Sequence, residues 1–127
     1  MPTVATGSEG HIGHTVDTGQ CVSFVRVATG LPPTSWWRRG DPVQDSQSAP
    51  GTAIATFNHA GRYSNAMDGS AHCAILQACH DDGSLTVVDQ WLGQPVHQRV
   101  IRNRHGRGDA CNDASRYYVI EIADGDD

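Results

Sequence analysis

The sequence predicts an α+β domain, one early helix followed by an antiparallel sheet of about five strands. Three observations carry this. Apolar residues recur at helical spacing between residues 21 and 28, and short runs rich in β-formers follow from residue 51 onward. The chain has Gly 14 and Pro 6 in 127 residues, which favours short elements joined by tight turns. Its length allows one ordinary domain, so residues 1–127 are expected to fold as a unit.

Residues 1–16 lack periodicity and read as an arm lying on the surface. Cys21, Phe24, Val25 and Ala28 then fall on one face of a helix. Thr18 is a candidate N-cap, and Gly30 suits the position just past the helix end. Residues 31–50 are broken by Leu31-Pro32-Pro33 and Gly40-Asp41-Pro42, and are expected to form a long loop around Trp36 and Trp37. Thr52–Phe57 reads as the first strand and His72–Ala78 as the second. The turn His80–Ser84 leads into a third, Leu85–Trp91, as a hairpin. Val96–Asn103 and Arg116–Ile122 complete a meander, and residues 123–127 read as an acidic, frayed tail.

Composition narrows the function. Hydrophobic residues are 38% and charged residues 18%, enough apolar material for a real core. The formal net charge is -5 and every cation among the nine Lys+Arg is Arg, so no broad basic surface for nucleic acid is expected. No run approaches the roughly 18 apolar residues of a membrane span, and membrane insertion is not expected. The first residues lack the basic and apolar regions of a signal peptide, so synthesis in the cytoplasm without a leader is expected.

The chemistry centres on Cys21. A cysteine acts as its thiolate, and the first turn of a helix favours that anion through unpaired N–H groups and the dipole. A histidine can take the proton and later return it to a leaving amine. Among seven histidines, His72 stands out because it opens an apolar strand, where a strand end can face a cleft; His11, His14, His59, His80, His97 and His105 lie in polar contexts and read as solvated. Asp89 ends the apolar run Leu85-Thr86-Val87-Val88 on the partner strand. With the turn near residues 81–83, antiparallel pairing brings positions 72 and 89 within cross-strand or diagonal reach. Asp89 can then hold the imidazole in one tautomer. Spacing alone makes Cys…His…Asp a weak signal.

Four segments strengthen it: Gly19-Gln20-Cys21-Val22-Ser23-Phe24-Val25, Gly51–Phe57, His72-Cys73-Ala74-Ile75-Leu76 and Val87-Val88-Asp89-Gln90-Trp91, in that order. Together they resemble the CHAP and NlpC-type cysteine amidases, a papain-like family that cleaves peptidoglycan peptides, over roughly residues 17–104. The resemblance implies a nucleophile helix packed on the sheet, with Cys21, His72 and Asp89 as catalytic residues. Trp91 stands where related sequences often carry Asn. A small amidase of this kind looks like the type VI secretion amidase effectors, which implies delivery into a rival's periplasm and a cognate immunity protein covering the cleft. The implied mechanism is acyl transfer without a cofactor. The Cys21 backbone N–H, with Gln20 as a candidate second donor, would hold the oxyanion. Trp36 and Trp37 read first as cover for the core beside the long loop; with Arg38, Tyr63 and Trp91 they are also candidates for the substrate groove, an Arg pairing with a stem-peptide carboxylate.

Rival readings are a phage-type or housekeeping lysin, a non-enzymatic wall-binding module and a zinc site. HExxH and CxxC pairs are absent from the sequence. Arg107-Gly108-Asp109 matches the integrin tripeptide, a match that arises often by chance. A Cys79–Cys111 disulfide is expected, since both cysteines fall at strand ends or loops and Cys21 must stay a thiol.

Overall fold

The helix forms where its apolar spacing requires. In the computed structural model, which describes residues 3–45, 48–66 and 68–123, α1 runs Cys21–Thr29. It buries Phe24 and Val25 completely. Gly30 closes it in the left-handed conformation at φ 78°, with its N–H on the Arg26 carbonyl at 2.8 Å. Gln20, not Thr18, is the N-cap, in extended conformation. Thr18 acts one step earlier, its hydroxyl bonded to Ser23 Oγ at 3.0 Å and accepting from the Gln20 N–H at 3.4 Å.

The sheet has six antiparallel strands rather than five: β1 (Trp37–Pro42), β2 (Ala53–Thr56), β3 (Cys73–Cys79), β4 (Leu85–Trp91), β5 (Gln94–Ile101) and β6 (Tyr117–Ile122). Their order is β1-β6-β2-β3-β4-β5. The expected meander therefore holds from β2 to β5, and β6 returns across the sheet to pair with both β2 and β1. β1 is the strand that the sequence pattern does not predict. Gly40 and Pro42 argue against a central strand, but β1 is an edge strand with a bulge between Arg39 and Pro42. Gly40 also permits close pairing, because a Cβ there would sit 2.6 Å from the Val119 carbonyl oxygen.

Strand alternation divides the interior into two cores. Ala53, Ala55, Cys73, Ile75 and Val88 face α1 together with Phe24, Val25 and Trp37. Ile54, Ala74, Leu76, Val87 and Ile101 face the other way, covered by Val43, Ala114 and Tyr117. The N-terminal arm is built in more deeply than a surface arm. Ala5 and Val16 are buried, the Ala5 N–H bonds the Gly51 carbonyl at 2.7 Å, and Val4 bridges Thr52. No helix among the described residues is long and apolar enough to cross a membrane. The acidic residues 124–127 lie outside the described residues.

All four cysteines are free thiols, so the expected Cys79–Cys111 bridge is absent. The Cys111 N–H bonds the Gly69 carbonyl, shortly before β3 begins, whereas Cys79 is the last residue of that strand. A strand of this length separates its ends by about 20 Å, far beyond the Cα spacing of a disulfide.

Candidate active site

Cys21 is the first residue of α1, and the first intrahelical bond runs from the Phe24 N–H to the Gln20 carbonyl. The Cys21 N–H is thus one of the unpaired donors of the helix start. Gln90 fixes this end of the helix. It is fully buried, accepts from the Val16 N–H at 2.9 Å and donates to the Val16 and Gln20 carbonyls, each at 2.8 Å.

His72 lies immediately before β3, with its N–H on Thr56 Oγ1 at 3.1 Å and its carbonyl accepting from the Thr56 N–H at 3.0 Å. The register Ile75↔Val88 continues to place Asp89 opposite Ala74, two positions along and on the same face as His72. The diagonal contact expected from the hairpin is present: His72 Nε2 donates to Asp89 Oδ2 at 2.7 Å. That leaves Nδ1 as the ring nitrogen available to the thiol. Asp89 is fully buried.

The electrostatics separate the protons. The Cys21 thiol falls from 9.0 to about 4: the hydrogen bond with the Cys73 side chain lowers it most, burial opposes, and the His72 hydrogen bond and charge lower it further. For His72, burial pushes the pKa down but is outweighed by hydrogen bonds to Asp89 and Cys21 and by their charges, which raise it from 6.5 to about 9. Burial likewise works against ionisation of Asp89, yet His72 and Arg99 hold its carboxyl below the usual range. Near neutrality the pair is a thiolate and an imidazolium. Cys73, wholly buried, stays protonated because burial pushes its thiol well up.

Tyr63 contacts the thiol, its hydroxyl 3.6 Å from Cys21 Sγ, and burial raises its phenol so that it remains a donor. Trp37 packs beneath Tyr63 with ring centroids 5.2 Å apart.

A cleft of about 650 Å³ opens over these groups, lined in part by Gln20, Cys21, Tyr63, His72, Trp91 and Arg99. Three residues expected in the groove are elsewhere. Trp37 is fully buried in the core, with Nε1 donating to the Pro32 carbonyl at 2.9 Å. Trp36, its neighbour in the chain, is exposed but lines no part of the cleft. Arg38 lines no part of the cleft, and one of its terminal nitrogens donates to the Ser35 and Trp37 carbonyls, both at 2.9 Å. The reason is β1: Trp37 and Arg38, expected in a loop, enter an edge strand remote from β4 in the sheet, and Trp36 ends the short 3-10 turn just before it.

Two residues not singled out from sequence flank Asp89. His97, expected to be solvated, faces Asp89 across the β4–β5 pairing, with Nε2 3.0 Å from Oδ1 but not aligned as a hydrogen bond. Arg99 Nε donates to Asp89 Oδ2 at 2.9 Å, and its guanidinium lies 5.2 Å from the Trp91 ring centroid. A one-residue register shift between Asp89 and Trp91 turns these side chains toward the carboxylate.

The comparisons with known proteins agree with this architecture. A family model described as domesticated amidase effector 2 matches residues 3–120. A curated protein of Ixodes scapularis, "Domesticated amidase effector 2", is 37% identical over 112 residues, covering 84% of this chain and 74% of its own. A solved structure, "Type 6 secretion amidase effector 2 (Tae2)", superposes with a TM-score of 0.81 at 28% identity and covers 96% of each chain.

Proposed function

Since the chain belongs to the domesticated amidase effector 2 family, we propose that it is a peptidoglycan amidase working by a thiol mechanism, with Cys21 as nucleophile, His72 as acid and base, and Asp89 as the residue that orients His72. The observation that carries the reading is the buried Asp89–His72 hydrogen bond of 2.7 Å beside a thiol lowered to about 4, with Cys21 and His72 lining an open cleft and Asp89 buried behind them.

The Cys21 thiolate attacks the carbonyl carbon of an amide in a stem or crosslink peptide, and the carbonyl π electrons move onto oxygen. The Cys21 N–H at the start of α1 receives that oxyanion, with the Gln20 side chain as second donor. As the C–N bond breaks, His72 passes its Nδ1 proton to the departing amine. Water, losing a proton to the now neutral His72, then attacks the thioester. The C–S bond breaks, the acid product leaves, and the thiolate–imidazolium pair is restored. Throughout, Asp89 holds Nε2 and stabilises the imidazolium.

The names of the relatives, an amidase effector and a type 6 secretion amidase effector, support an amidase that acts outside the cell that makes it. For an effector route, delivery by a type VI apparatus into a target periplasm and a cognate immunity protein seated over Cys21 and His72 complete the proposal. Digestion of purified sacculi tests the core of it. Wild-type protein should release muropeptides identifiable by mass as products of one amide cleavage, and Cys21→Ala should release none. Equal release by both proteins sinks the thiol mechanism.

A further inference from the structure

We propose that Arg99 forms a carboxylate subsite, so that the enzyme selects a peptide carrying a free carboxylate next to the amide it cuts; this rests on the amidase reading above. Among the described residues lining the cleft, Arg99 alone bears a permanent charge, and none of them carries a carboxylate. The Arg38 expected for such a role is bound to two carbonyls elsewhere.

Arg99 is held on several sides. Nε donates to Asp89 Oδ2 at 2.9 Å, one terminal nitrogen reaches Asn112 Oδ1 at 3.3 Å, and the other reaches the Cys111 carbonyl at 3.4 Å. The Trp91 ring packs against its guanidinium. A guanidinium carries five N–H donors in a planar fork. These bonds occupy one on each nitrogen, and a further N–H remains on each terminal nitrogen. The side chain is largely covered, with 20% exposure, so a carboxylate reaching it meets a charge already fixed in place.

Its position ties selection to chemistry. Arg99 and His72 bond the same oxygen of Asp89, at 2.9 and 2.7 Å. A carboxylate on Arg99 therefore sits within a residue or so of the scissile carbonyl. Stem peptides offer free carboxylates at this range, on γ-linked D-glutamate, on diaminopimelate and on terminal D-alanine, and a carboxamide in the same place offers no charge.

The test uses Cys21→Ala, which binds without turnover, and a synthetic crosslinked dimer of L-Ala, γ-D-Glu, diaminopimelate and D-Ala as probe, followed by calorimetry. Each free carboxylate is replaced in turn by a carboxamide. One replacement should weaken binding about tenfold or more, the scale of a charge-assisted hydrogen bond. In Cys21→Ala/Arg99→Gln the same replacement should change affinity by less than about twofold. Arg99→Lys, which keeps the charge and loses the fork, should retain only part of the preference; if the Gln variant fails to fold, an undiminished preference in Arg99→Lys overturns the subsite in its place. A dimer that does not bind, carboxamides that all bind as well as the acid, or a preference that survives loss of Arg99 each overturns the subsite. Wild-type protein that binds with this preference yet releases no product sinks the amidase reading and leaves the subsite standing.

Discussion

At the scale of single residues, the proposed mechanism rests on opposed protonation demands. Cys21 is driven toward its anion and His72 toward its cation, so the reactive pair exists above the low pKa of the thiol and below the raised pKa of the imidazole. Activity is expected to rise through an acid limb near the first, stay level around neutrality, and fall through an alkaline limb near the second. Asp89→Asn tests which group sets the upper limb. It keeps the shape of the side chain and removes the carboxylate whose hydrogen bond and charge help raise His72, so the alkaline limb should move to lower pH while kcat/KM falls on the order of 10²–10⁴. Measuring kcat/KM against pH with both proteins checks this. An unmoved limb would show that Asp89 does not govern the imidazole.

At the scale of elements, the junction between α1 and β4 matters most. Gln90 makes its three hydrogen bonds from a fully buried position, and two of them go to Val16, which ties the arm to the sheet. Replacing it by Leu leaves the Val16 N–H and carbonyl without these partners. Gln90→Leu should cost about 2–4 kcal/mol in urea denaturation. It should also lower kcat without displacing the pH limbs, because it frees the helix start and leaves the Asp89–His72 pair in place. The irregularity at this point explains what the sequence hides. The turn at Leu92 and Gly93 joins Trp91 to Gln94, and an unbroken ladder from there would set Val96 opposite Asp89. The one-residue shift sets His97 there instead, and brings Arg99 to the same face. Periodicity cannot announce a bulge, so His97 reads as solvated and Arg99 is not singled out.

At the scale of the whole molecule, the far edge of the sheet supports the cleft through a chain of aromatic contacts. Trp37 enters the core from β1, and Tyr63 lies between it and the Cys21 thiol, its ring tilted 56° to the indole. Trp37→Ala should destabilise the fold by about 3–5 kcal/mol, as buried aromatic truncations do. Activity measured well below the lowered Tm should fall too, because Tyr63 loses its backing. A variant of normal activity and lowered Tm would separate the edge strand from the cleft.

The amino-acid sequence by itself determined the helix with Cys21 at its start, the β2–β5 strand pattern, and the diagonal approach of His72 to Asp89. These follow from local periodicity and from one tight hairpin, where chain connectivity sets the neighbours. Tertiary structure alone decided the rest: that Arg38 lies outside the cleft, that β6 lies between β1 and β2, and that Arg99 and His97 reach Asp89. Those outcomes depend on an edge strand and a bulge, whose energies come from pairing partners distant in the chain rather than from the residues that form them.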